Sequence, residues 1–328
     1  MMTSIKQNEE VKRQLTDLEN DFTSLVIALA AKMTAASRAA NADDLQRGDL
    51  YYRTENGSVI ITGCNKDAAS VEIPPEIDSY PVTAVGAYAF SHCTDLTSIN
   101  IPSGVTVIGD YAFGSCKNLT DISIPESTTQ IGRGAFSDCI GLTDITLPER
   151  VASMGNYAFY NCKSLTNINI PAGVTHIGAQ TFTYCGSLAI SVDGNNRSYS
   201  SKDGVLFNKD ATELIAYTKD KICSEYTLPS GVKAVGKNAF SACHGLTGIN
   251  IPKGVKTIDD RAFYGCTGLI NITIPDSLTA VNKSAFYRCE SLTDIYYGGT
   301  SSQWSQIQIA ADNEWLTSAE IHFGDKNK

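Results

Sequence analysis

Large apolar side chains recur along most of this chain at a fixed interval. Phe90, Phe113, Phe136, Phe159 and Phe182 are evenly spaced, and Phe240, Phe263 and Phe286 resume the same spacing. Three positions after each Phe stands a cysteine: Cys93, Cys116, Cys139, Cys162, Cys185, Cys243, Cys266 and Cys289. A Leu follows three positions later, from Leu96 to Leu292, and an Ile-Pro or Leu-Pro pair closes most units. Inside "LTSINIP", Ile99 and Ile101 alternate with Asn100, the period of a short strand with one buried face. Pro102 has no amide to give a ladder and ends the strand. "VTVIGD" adds Val105 and Ile108, with Gly109 expected to supply a positive φ at a bend. "YAFGSC" is expected to wind inward as a short helical turn carrying Ala112 and Phe113.

A period of about 20–29 residues with Leu-x-x-Ile-x-Ile is the pattern of a leucine-rich-repeat solenoid, in which each coil buries its apolar face only by stacking on the next. The predicted fold class is an α/β repeat: a solenoid of 23-residue coils with a parallel strand ladder, short helical turns and an N-terminal helix. Residues 1–47 form the predicted N-terminal helical segment, a cap or coiled coil. Residues 48–328 form the solenoid, with an inserted hairpin near 190–227 and a C-terminal cap over 294–323.

Three segments stand outside the repeat. Residues 5–41 hold neither Gly nor Pro, and Val11, Leu15, Leu18, Phe22, Leu25 and Leu29 follow a heptad seam. Two readings stand: self-association through residues 11–33, or a fold-back cap. Within the insertion, "DGVLFNKDATELIAY" predicts a hairpin turning at Asn208-Lys209-Asp210, either a binding element or a spacer that alters curvature. Near the C-terminus, Trp304 and Trp315 are expected to seal the last coil, with Ser301 or Ser302 capping a helix.

Stacking puts the eight repeated cysteines in a column, where a thiol behaves as a small buried hydrophobe. Parallel Cβ vectors suit a disulfide poorly, and zinc wants paired ligands that the spacing does not supply. His92, His176, His244 and His322 form no metal spacing. A Cys93–His92 nucleophile pair would need an electropositive, partly exposed setting, and adjacent residues seldom point together. No metal, cofactor or catalytic residue is expected, and the chain reads as no enzyme.

The candidate binding face is the outward row of the strand ladder. It comprises Ser98, Asn100, Asp121, Ser123, Asp144, Thr146, Asn167 and Asn169, and after the insertion Gly248, Asn250, Asn271, Thr273, Asp294 and Tyr296. These side chains are mostly short, polar and mildly acidic, which suits carbohydrate or broad low-affinity contact. Tyr88, Tyr111 and Tyr157 form a second stripe, read chiefly as packing between coils.

The charge balance of 26 basic against 35 acidic residues, a net of -9, disfavours nucleic acid. No apolar run reaches the roughly 18 residues of a membrane span. "LVIALAA" at 25–31 starts too late for an ordinary export signal; the alternative is a late-start signal cleaved near "AANA".

The repeat, close to LTxIxIPxxVTxIGxxAFxxC from Gly48 to Phe323, resembles the BspA-like leucine-rich-repeat family of bacterial cell-surface proteins. The segment "NGSVIITGCNKDAASVEIPPEIDSYPVTAVGAYAF" is similar to that family's opening coil, and "IYYGGTSSQWSQIQIAADNEWLTSAEIHF" to its C-terminal cap. The resemblance implies a non-enzymatic binding or adhesion protein, at the cell surface or secreted, whose partner is a protein or carbohydrate on a host or bacterial surface. The alternative is a non-exported structural scaffold, cytoplasmic or virion-associated, assembling through the N-terminal helix.

Overall fold

The computed structural model describes residues 44–218 and 224–324. The predicted N-terminal helix and its heptad seam lie outside the described residues.

From Arg47 onward the chain winds as a β-solenoid whose coils keep the interval of the sequence repeat. A hairpin of Leu50–Glu55 and Ser58–Cys64 opens it. The turn is Asn56-Gly57, with φ of 50° and 75°, the two left-handed residues that match the twist of paired strands. The second hairpin strand pairs in parallel with Tyr80–Val85, and the ladder continues in register through Val107–Ile108, Gln130–Ile131, Ser153–Met154 and His176–Ile177. The strands predicted from "LTSINIP" form a second ladder on another side of the coil. It is regular at Ser98–Asn100 and Asn167–Ile170 and narrows to a single Ser123–Thr146 bridge between them.

The segment expected to be helical is not. Tyr88, Phe90 and His92 donate their amides to Asp110, Ala112 and Gly114 of the next coil at 2.7–2.8 Å. The residues between them close three-residue turns, as in Ala89 N–H to Gly86 O and Cys93 N–H to Phe90 O. A helix would keep all these bonds within the coil. Here every second amide points along the solenoid axis, which requires left-handed residues such as Tyr88 (φ 59°) and His92 (φ 58°). The result is a third hydrogen-bonded ladder and an all-β coil rather than an α/β one.

Gly109 also departs from expectation, because its φ is not positive. It is glycine for want of room: a Cβ there would stand 2.7 Å from the Ala87 amide nitrogen of the preceding coil. Gly132 and Gly155 meet the same limit against Asp110 and Arg133, at 2.6 and 2.5 Å.

The insertion divides the core in two. Tyr199–Lys202, Val205–Asn208 and Glu213–Ala216 form an antiparallel meander, with Asn208, Lys209 and Asp210 at the second turn as the sequence suggests. Leu206 belongs to the apolar cluster of the first stack, whereas Val205, Phe207 and Leu214 belong to that of the second. Alternate faces of one strand thus pack into opposite cores, making the strand a septum rather than a surface loop. Glu213–Ala216 then starts the ladder Ala234–Val235, Thr257–Ile258, Ala280–Val281 and Gln308–Ile309.

At the far end, the helix Ser301–Trp304 is capped by Thr300, not by Ser301 or Ser302. The Thr300 hydroxyl accepts from the Gln303 amide while the Gln303 side chain accepts from the Thr300 amide, a reciprocal capping box. Trp304 and Trp315 pack half-buried against the last coils.

Candidate functional site

The interior accounts for the repeated residues first. Phe90, Phe113, Phe136 and Phe159 stack with centroids 5.2–5.4 Å apart and planes within 8°. All nine described cysteines are buried, and none is in a disulfide. The thiols of Cys116, Cys139, Cys162, Cys185, Cys243, Cys266 and Cys289 each donate to the backbone carbonyl 26 residues earlier, at 3.0–3.5 Å. Burial pushes Cys116, Cys139 and Cys162 well up and Cys185 to about 12, the opposite of what a thiolate nucleophile needs.

Beside the cysteines runs a polar column: His92, Ser115, Asp138 and Asn161, one from each successive coil and each left-handed, with φ of 58–62°. Burial, with Lys66 and Lys117 adding to it and Asp138 opposing, lowers the His92 imidazole below its usual range. Burial raises the Asp138 carboxyl, against the bond it accepts from Asn161 at 2.7 Å.

The predicted binding residues fall on two separate faces. In the first stack Ser98, Asn100, Asp121, Ser123, Asp144, Thr146, Asn167 and Asn169 are all exposed, flanking the buried Ile99, Ile122, Ile145 and Ile168. Register sets Asn167 and Asn169 beside Ala189 and Ser191, and the Ser191 hydroxyl donates to Asn169 at 3.0 Å. The row ends there: Ala189–Val192 and Glu225–Thr227 belong to different sheets.

The second stack is less open. Asn250 is exposed, but Gly248 is buried, and a Cβ on it would lie 3.2 Å from the Asn271 side chain. Asn271, Thr273, Asp294 and Tyr296 are half-buried; the terminal strand Glu320–Phe323 lays His322 over Tyr296, rings 4.8 Å apart, and Glu320 beside Asp294. His322 Nε2 lies 2.8 Å from Asp294 Oδ1. The donor atoms of Asp294, Glu320 and His322 fall within 4.8 Å of one another, a two-carboxylate, one-imidazole set able to accept a divalent cation. Glu320 and His322 escape motif search because they join Asp294 only through strand pairing. The alternation of "EIHF" under "DIYY" is the signal that finds them.

The tyrosine stripe is packing, as expected, and it is longer than three residues. Tyr88 stacks on Tyr111 at 5.2 Å, and the Arg133 guanidinium sits over both Tyr111 and Tyr157, at 5.9 and 5.6 Å. Gly134 makes room for this, since a Cβ there would strike the Tyr111 ring at 2.2 Å. Tyr160, Tyr184 and His244 carry ring contacts across the break between stacks at 5.3–5.9 Å. There a cavity of about 280 Å³ opens among Thr181, Tyr199, Ile215, Thr218 and Lys237. Among the described residues no helix is long and apolar enough to cross a membrane.

Solved structures share this architecture. A leucine-rich repeat protein from Bacteroides ovatus is 28% identical, with a TM-score of 0.58 over 87% of this chain and 79% of its own. One from Eubacterium ventriosum is 29% identical, with a TM-score of 0.52 over 76% and 70%. The pneumococcal vaccine antigen PcpA, at 22% identity, shares the fold with a TM-score of 0.63 over 87% and 88%. A search of curated proteins returns no match. The profile of the BspA type leucine-rich-repeat region matches residues 69–202 and 215–320 in six copies. On that match, which takes in both stacks, the chain belongs to the BspA-type leucine-rich-repeat family.

Proposed function

We propose that this chain is a non-catalytic recognition protein of a bacterial surface, binding a protein or carbohydrate through the outward strand face of its first stack. The observation that carries the reading is the state of that face. Eight short polar side chains from four successive coils stand exposed on one outward row, strand-paired at its ends and joined by a single Ser123–Thr146 bridge in its middle. A flat row of hydroxyl, amide and carboxylate groups repeating about every 4.8 Å presents many shallow hydrogen-bonding positions and few of the aromatic or Arg anchors of a tight protein interface. Extended, repetitive ligands suit such a surface. Membership of a family of bacterial surface proteins supports the location, and burial raises the Cys116 and Cys162 thiols of the core column, the opposite of what a nucleophile needs.

Labelled full-length protein is applied to arrays of bacterial and host glycans and to intact cells. The variant Asn100→Arg/Thr146→Arg/Asn169→Arg places three bulky cations on the row without touching the core. Loss of at least tenfold in binding is expected for this variant, and none for Lys117→Glu/Lys163→Glu on exposed positions off the row. Equal binding by wild type and the triple-Arg variant sinks the assignment of the face.

A further inference from the structure

We infer that Cys64 and Cys93 form a disulfide that fastens the opening hairpin to the first full coil. Cys93 begins the cysteine column, and a second sulfur stands beside it. The seven later thiols each meet a carbonyl oxygen at 3.0–3.5 Å, whereas Cys93 Sγ meets Cys64 Sγ at 2.9 Å. Sulfur is larger than oxygen, yet the two sulfurs lie closer than any of these sulfur–oxygen pairs. That spacing is too tight for two unbonded sulfurs and about an ångström beyond a bond of roughly 2.05 Å.

The argument against disulfides within the column does not reach this pair. Column neighbours descend from stacked coils with parallel Cβ vectors. Cys64 instead ends the strand Ser58–Cys64, opposite Leu50 in the antiparallel hairpin, and its 29-residue separation from Cys93 is not the repeat interval. It approaches from outside the repeat. Lys66 adds a cation at the same place: its ammonium lies 3.7 Å from Cys93 Sγ and donates to the Ser91 carbonyl. The sulfur contact and burial raise the Cys64 thiol in the closed chain, so the thiolate that exchange requires belongs to the open one.

The bond forms by exchange with a small-molecule disulfide such as oxidised glutathione. The Cys93 thiolate attacks one sulfur and releases a first glutathione thiolate. The Cys64 thiolate then attacks Cys93 Sγ in the mixed disulfide and releases a second. The two cysteine protons pass through solvent to the departing thiolates, and the two electrons leave with the two glutathione molecules. In the folded chain Cys64 is 5% exposed and Cys93 fully buried, so exchange precedes closure of the hairpin over the coil, and the finished bond is shielded from reductants. A solenoid end exposes apolar core, and the hairpin covers it with the buried Leu50, Val59 and Ile61.

Full-length protein is refolded in parallel in a reduced/oxidised glutathione buffer and in dithiothreitol, then alkylated in denaturant. Intact mass is expected to show two fewer alkyl groups after glutathione. Non-reducing peptide mapping is expected to recover one cross-linked pair, holding Cys64 and Cys93, and the melting temperature to rise by roughly 5 °C. Cys64→Ser is expected to lose the cross-link and the rise together; should it fail to fold, the wild-type peptide map still decides. Complete alkylation after glutathione refolding overturns the inference, as does a cross-link between column neighbours such as Cys93 and Cys116. Neither result bears on ligand binding, which the strand-face variants test separately.

Discussion

The stacks on either side of Leu206 are built from one repeat, and they agree inside and diverge outside. In the first, the Phe rings stack at 5.2–5.4 Å through Phe159; in the second, Phe240, Phe263 and Phe286 stack at 4.9–5.0 Å. Their surfaces have little in common. The outward row of the first is open and polar, and that of the second closes over itself with Tyr296, Glu320 and His322. An inward side chain must fit coils above and below it, so only the repeat residue serves. An outward side chain need not interlock with coils above and below, and is where coils acquire separate roles.

The largest expected effect tests the shared interior. Phe136 is fully buried and has a stacked ring on each side, Phe113 and Phe159. Phe286 is as buried but has a Phe on one side only. Truncation to Ala is expected to cost about 3–5 kcal/mol at Phe136 and less at Phe286, measured as urea midpoints of the single variants. Equal costs would mean that the ends of the column are packed as tightly as its middle.

Next come the two asparagines that end the stacks. Asn196 is buried beyond the last regular coil of the first stack. Its amide donates to Pro171 O and Val174 O, and its Oδ1 accepts from the Ser198 and Tyr199 amides at 2.8 Å. Asn313 does the same work for the second, donating to Asn282 O and Ala310 O and accepting from Phe286 N–H. Each replaces hydrogen bonds that a further coil would have supplied. Asn→Ala leaves buried backbone groups unpaired and is expected to cost about 2–3 kcal/mol at either site. Asn→Asp is expected to rescue only the accepting half. A neutral Asn196→Ala would show that solvent reaches these groups and that the stacks are not separately terminated.

Most of the fold is legible in the sequence because its period is covalent. Phe, Cys, Leu and Ile-Pro recur once per coil, and the register Val107–Gln130–Ser153–His176 follows directly. What escapes reading is whatever depends on which way a backbone group points. "AYAF" looks helical by composition, but alternate amides of the segment bond along the axis. Gly109 looks like a bend residue, but its lost side chain answers a contact with another coil. Asn196 and Cys64 occur outside the repeat, so no periodicity marks them. Half of the outward row is readable by strand alternation; its closure at Tyr296 is not, because His322 arrives through pairing with a terminal strand that carries no repeat.

The smallest expected effect separates the stacks by pH. In the first, the left-handed position beside the cysteines holds His92 and Asp138; in the second the equivalent residues are Ala242, Gly265 and Arg288, with neither an imidazole nor a carboxyl among them. The folded-state imidazole of His92 is depressed, chiefly by burial and then by Lys66, with Lys117 adding and Asp138 opposing. Between that lowered value and the ordinary value of about 6.5, the unfolded chain binds the extra proton, so stability rises with pH across this window and is complete above it. Asp138 acts with opposite sign further into acid. Its raised carboxyl keeps a proton in the folded state that the unfolded chain has released, so stability there falls as pH rises from about 4. His92 is only half-buried, and solvent screening keeps its contribution small. Urea midpoints taken between about pH 7.5 and 5.5 are expected to fall more steeply for wild type than for His92→Gln. Parallel slopes would mean that the imidazole reaches water in the folded chain and that the two stacks respond alike to acid in this range.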